Sequence, residues 1–139
     1  MTSATNAATA PATAPGVGPW TGRVLSGLTI VFLILDSGMK LLDMPQVRAA
    51  MRPLDYPAYL ARPIGEIELT CLVLYAIPRT APLGAILLTG LLGGAIASHL
   101  RVGDPLISHV LFGVYVGLMA WGGLYLRDEK VRALIPWRR

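Results

Sequence analysis

Nine ionisable side chains lie in or beside the long apolar stretches of this 139-residue chain: Asp36, Lys40, Asp43, Glu66, Glu68, His99, Arg101, Asp104 and His109. Carboxylates and imidazoles relay protons, cations donate to carbonyl oxygens, and His/Glu sets hold metals. Spacing narrows the choice. Asp36, Lys40 and Asp43 recur at i, i+4 and i+7, one stripe of a helix, with the acid four residues before the lysine. Mutual neutralisation of Asp36 and Lys40, easing insertion into a bilayer, is an equal reading. Glu66 and Glu68 stand roughly 200° apart around a helix axis, so one faces inward and the other the rim. His99 and His109 come from different segments without the local His/Glu repeats of bundle metal sites, so no metal is expected. Nucleophilic triads, phosphate-binding glycine loops and dinucleotide fingerprints are absent.

The elements that must position these groups belong in a membrane. The chain is 54% hydrophobic and 14% charged, where soluble domains carry about 25% charge. Four apolar stretches, 24–42, 64–78, 82–100 and 105–126, approach the roughly 17–25 residues of a transmembrane helix, although the second is short and carries two carboxylates. Continuous apolar runs exclude barrel strands, which alternate. The expected fold is all-α: four transmembrane helices in an antiparallel bundle. Pro78–Pro82 and Val102–Pro105 suit tight hairpins. Gly90 and Gly94 in the third stretch, and Gly113 and Gly117 in the fourth, have the four-residue spacing that lets helices approach closely. A contact between those two helices is therefore predicted, with His109 turned toward it. A hydroxyl or carbonyl partner for His109 is the plainer reading.

Residues 1–19 are mainly Ala, Thr, Pro and Gly without charge, and read as a disordered tail before a 20–139 membrane domain. No secretory signal pattern precedes the first helix, which is expected to remain in the mature protein. With four spans the termini share a side, which carries Arg23, Arg79, Arg127, Lys130, Arg132, Arg138 and Arg139; Arg48, Arg52, Arg62 and Arg101 lie opposite, with Lys40 near the boundary. The positive-inside rule makes both termini cytoplasmic. The net charge of +4 then fits a lipid partner, and no nucleic-acid motif accompanies it. The ionisable cluster faces the other side, with Asp36, Glu68 and His109 roughly 6–9 Å inside their helix ends. Charge there marks a polar pocket by default. The connection 43–61 lies over that pocket, as a lid or, in the favoured reading, as a short interfacial helix over 46–52 with Tyr56 and Tyr59 as headgroup anchors. Trp20 and Trp137 are expected to anchor the other interface. Cys71 reads as a small apolar residue in a helix.

Ser37–Leu42, Ile64–Leu69, Ile77–Gly90, Gly93–Arg101 with Gly103-Asp104-Pro105, and Leu124–Asp128 resemble the DoxX-like family of small bacterial membrane proteins, over nearly everything after the tail. The resemblance implies a four-helix inner-membrane protein in which the family's Gly-x-x-Glu glutamate falls on Glu68, its histidine on His99 and its lysine on Lys40. Glu66 stands where the family is usually apolar, which leaves open which carboxylate faces inward; Ser98 stands where Thr is frequent. Relatives include membrane subunits of thiosulfate:quinone oxidoreductase and a component of oxidative-stress complexes. The implied role is an accessory or redox-linked subunit, with membrane or redox partner proteins, whose pocket of Asp36, Lys40, Glu68, His99, Arg101 and His109 holds a quinone headgroup. His99, Lys40 or Arg101 would donate to carbonyls while Glu68 or Asp36 relays protons. Asp43, Glu66 and Asp104 are secondary candidates. A non-catalytic scaffold or assembly factor is the alternative; a small transporter would need a homo-oligomer, since four helices without inverted repeats lack the elements of alternating access.

Overall fold

A computed structural model describes residues 17–134, all-α throughout. The terminal residues, including most of the tail and Trp137, Arg138 and Arg139, lie outside the described residues. Four long helices, α1 (Val17–Leu41), α3 (Ala61–Ala76), α4 (Ala81–Arg101) and α5 (Phe112–Arg127), are joined by α2 (Pro45–Met51) and a 3₁₀ turn (Ala58–Leu60), and followed by α6 (Glu129–Leu134). α1 begins at Val17, so residues 17–19 belong to the helix rather than to the tail. Pro19 falls in its first turn, where the missing N–H has no intrahelical partner to lose. α3 ends at Ala76, ahead of Pro78.

Three segments are long and apolar enough to cross a membrane: Gly18–Leu41, Ala81–Arg101 and Leu106–Arg127. Their surface pattern inverts that of a soluble protein. The buried stripe of α1 is Gly22, Ser26, Thr29, Leu33 and Ser37, at helical spacing, while Leu28, Val31, Ile34 and Leu35 are exposed. Buried hydroxyls find partners within the helix: Thr29 donates to the Leu25 carbonyl at 2.9 Å and Ser37 to that of Leu33 at 2.6 Å. Apolar side chains outward and small or polar ones inward are what a lipid solvent selects.

The long helices form a ring in which α1 packs on α3 and α5, and α4 packs on the same two. At one end the fully buried Tyr75 ties three of them together. Its hydroxyl donates to the Ala120 carbonyl at 2.7 Å and lies 3.1 Å from Ser26 Oγ, with the Arg127 guanidinium 5.2 Å over its ring. Beside it α1 and α5 cross on glycine: a Cβ at Gly123 would lie 2.6 Å from Ser26 Oγ, and one at Gly22 would lie 2.8 Å from the Gly123 carbonyl oxygen. Gly84 lies against the Tyr75 backbone in the same way.

The expected glycine seam between α4 and α5 is only half present. Gly113 abuts Ile96 and the Leu92 carbonyl, and Gly117 is in ordinary contact with Leu92, but a Cβ at Gly90 or Gly94 would meet nothing within 4 Å. These two glycines face open space, and the α4–α5 contact is tied instead by Trp121 Nε1 donating to Thr89 Oγ1 at 2.8 Å. The chain enters α5 through a π-helical turn over Leu106–Val110, closed by Leu111 N–H donating to the Leu106 carbonyl at 2.8 Å. Gly123→Val should therefore destabilise the protein by about 1–3 kcal/mol through overpacking. Gly90→Ala should leave the thermal midpoint in detergent unchanged or raised, and equal loss in both variants would contradict this assignment of the contacts.

Candidate functional site

At the end of the ring opposite Tyr75, α1 and α3 meet where Gly65 lies against Lys40 and the Ser37 carbonyl. The side-chain vacancy at Gly65 brings Glu68, one turn further along α3, up to the lysine. Lys40 Nζ donates to Glu68 Oε2 at 2.7 Å and also to Asp36 on its own helix. Exposure falls inward along this triad, the side chains of Asp36, Lys40 and Glu68 being 35%, 20% and 3% exposed. Glu68 is thus the inward carboxylate; Glu66 lies on the outer face and pairs with Arg62 at 3.1 Å. Glu68 Oε1 is buried without a hydrogen-bond partner among the described residues.

The triad forms part of the wall of a cavity of about 810 Å³ inside the ring. Its remaining wall is mostly apolar, including Phe32, Ile67, Leu91 and Val116, and the bare backbone at Gly90 and Gly94 contributes to its width. Ser98 and His99 from α4, His109 from the π turn, Tyr56 from the connection and Cys71 from α3 also line it. His99 Nδ1 is 2.6 Å from Asp104 Oδ2, and the two imidazoles stand edge to face with centroids 5.6 Å apart. His109 reaches the cavity from an exposed position and exchanges a hydrogen bond with Ser108 at 2.8 Å.

The connection from 43 to 60 roofs this space. Val47, Met51 and Ala61 form a small buried cluster with Tyr56 and Leu60 packed on it. The Tyr56 hydroxyl is 2.7 Å from Ser98 Oγ, so Tyr56 turns inward rather than anchoring at headgroups, while Tyr59 is 74% exposed. Arg101 donates to the Leu54 carbonyl and is absent from the cavity wall; it pins the roof. Asp43 also departs from the expected stripe. It follows the end of α1 with a φ of 50°, in the left-handed region that Asp tolerates, and its carboxylate accepts from Arg48 Nε at 2.8 Å. The Arg48 hydrogen bond holds the Asp43 carboxyl below the usual carboxylate range.

Asp36, Lys40, Glu68, His99 and His109 thus share one cavity, whereas Arg101, Asp43, Glu66 and Asp104 are at its margins. Tyr56 and Ser98 complete it. Sequence reasoning took Tyr56 for an interfacial anchor because nothing local distinguishes the two fates. Residues 24–123 match the family model of the DoxX-like family. The chain belongs to the DoxX-like family. No curated protein and no solved structure matches the chain. For this DoxX-like protein the glutamate, lysine and histidine that the motif resemblance singled out therefore line one wall system.

Removing one member of a buried ion cluster leaves the rest uncompensated, so Lys40→Met should cost about 3 kcal/mol, the low end for buried pairs because Asp36 keeps contact with solvent. A Lys40→Met/Glu68→Leu double variant should recover most of that loss in thermal or denaturant unfolding. A double variant no more stable than the single would show that the triad is not the source of the coupling.

Proposed function

We propose that this DoxX-like protein is a four-span membrane subunit that binds an amphipathic ring compound of the quinone class and serves a redox partner. The observation that carries the reading is Glu68 Oε1, a buried carboxylate oxygen without a partner, on a carboxylate that lines a large apolar cavity. An orphaned buried acceptor costs free energy unless an occupant or water satisfies it. The volume lies within the roughly 300–1,000 Å³ of small-molecule sites, and apolar walls with a few convergent polar groups are their usual chemistry. Glu68, His99 and Tyr56 would hold the headgroup, and Phe32, Ile67 and Val116 would flank the tail.

A quinone, when bound, supplies two-electron, two-proton redox chemistry. The chain's own groups provide the proton side. Lys40 Nζ couples the buried Glu68 to the more exposed Asp36, a path for a proton between cavity and rim; the His99–Asp104 pair gives a second. The fourth crossing is α3, supported by its burial between α1 and α4, and the basic side chains near the termini favour cytoplasmic ends and a pocket toward the non-cytoplasmic face of a bacterial inner membrane.

A second reading has its own support: the Asp36–Lys40–Glu68 bridge joins α1 to α3, which suits a scaffold whose charges fix one helix arrangement. One experiment separates the two. Native mass spectrometry from mild detergent should find quinone-class lipid retained by the native chain and lost from Gly90→Leu, which adds a side chain on the cavity wall at a position where a Cβ meets nothing within 4 Å. Thermal stability should remain within about 1 kcal/mol, as for a substitution that neither opens a void nor clashes. An empty native chain would favour the scaffold.

A further inference from the structure

We propose that the cavity selects its occupant by hydrogen-bond donors and so holds the hydroxyl-bearing quinol in preference to the quinone. The inference rests on the quinone-class reading above and follows from which polar atoms already have partners.

Three cavity groups have roles fixed by geometry. Ser98 Oγ donates to the Gly94 carbonyl at 2.8 Å, and a serine has one proton to give. The 2.7 Å contact between Tyr56 and Ser98 must therefore be donated by the tyrosine, which leaves only lone pairs on its oxygen for an occupant. Asp104 as a carboxylate can only accept, so His99 carries a proton on Nδ1, which makes Nε2 the acceptor in the single-proton tautomer that this contact selects. Glu68 gives Oε2 to Lys40 and keeps Oε1 unpartnered on a side chain only 3% exposed. Against these acceptors, Lys40 directs N–H groups at Asp36 and Glu68 and has one left. Gln46 and His109 can serve in either sense. Arg101, the strongest donor expected nearby, does not line the cavity, and its Nη2 donates to the Leu54 carbonyl.

The charge balance runs the same way, two carboxylates on one lysine making the triad formally net negative. A quinone offers only carbonyl oxygens, which would confront these lone pairs. A quinol offers two O–H donors on the same ring. Shape does not separate the two forms; donor count does.

The test uses the full chain in neutral-lipid nanodiscs, kept anaerobic and at one fixed pH. Affinities are measured for decylubiquinone, its reduced quinol and the quinol's dimethyl ether, which keeps the ring and removes both donors. The quinol is expected to bind about tenfold or more tighter than either, the discrimination a site of buried acceptors imposes on ligands lacking donors. Glu68→Gln places an amide N–H₂ where the free oxygen stood and should bring the quinol-to-quinone ratio to near one. Tyr56→Phe, remote from the ion triad, should weaken quinol alone, and it decides the matter if Glu68→Gln fails to fold. Equal binding of both forms, or tighter quinone binding, overturns the donor inference and leaves the quinone-class reading standing. Failure of all three probes to bind overturns both.

Discussion

The lysine between two carboxylates is the constraint around which this end of the molecule is organised. A charged group in apolar surroundings must be paired or hydrated, and Lys40 meets that demand by touching Asp36 on its own helix and Glu68 on the next. The second contact requires α1 and α3 to approach closely, which Gly65 permits. Once those helices are held, α4 can lean on α3 and α5 while Gly90 and Gly94 leave space in the middle. The cavity is thus a consequence of where charge has to be neutralised and of where side chains are missing. The opposite end of the ring is held by the buried Tyr75 hydroxyl and by the close Gly22–Gly123 crossing.

That asymmetry connects stability to function. At the Tyr75 end, hydroxyl, carbonyl and guanidinium groups meet one another, and the one unpartnered buried atom is a donor, Arg127 Nε. At the Lys40 end the acceptors outnumber the donors and one carboxylate oxygen is left over. Natural proteins satisfy nearly all buried polar groups, and exceptions gather where a ligand or a proton is handled. A purely structural clamp could have used one acid for one lysine.

The helical class and the long segments were legible because each rests on a pattern many residues long. The inward position of Glu68 was half legible: geometry forbade Glu66 and Glu68 from sharing a face, but choosing between them needed the neighbour that supplies Lys40. Asp43 shows the limit of periodicity. The i, i+7 rule holds only while the helix continues, and α1 stops two residues short of it. Gly90 and Gly94 show another limit, since the same spacing serves close packing or an open cavity according to whether a neighbouring backbone arrives. The π turn ahead of α5 is a further feature that could not be read, since its i→i+5 bonding has no signature in residue type. Tyr56 was misread for a similar reason, as an aromatic in a connection faces headgroups or a pocket depending on a partner 42 positions away, Ser98.

The short helix α3 explains how three charges can sit in a segment proposed to cross a bilayer. At about 1.5 Å per residue its 16 residues span about 24 Å, less than the roughly 30 Å of hydrocarbon. Its ends therefore reach neither interface on their own, and the 3₁₀ turn and α2 extend the roofed end by lying across it. Arg62 and Glu66 neutralise one another on the outer face, and Glu68 turns inward toward Lys40. A longer apolar helix would have carried Glu68 deeper and cut it off from Asp36 and the rim. Shortness keeps the buried carboxylate within one lysine of the more exposed Asp36.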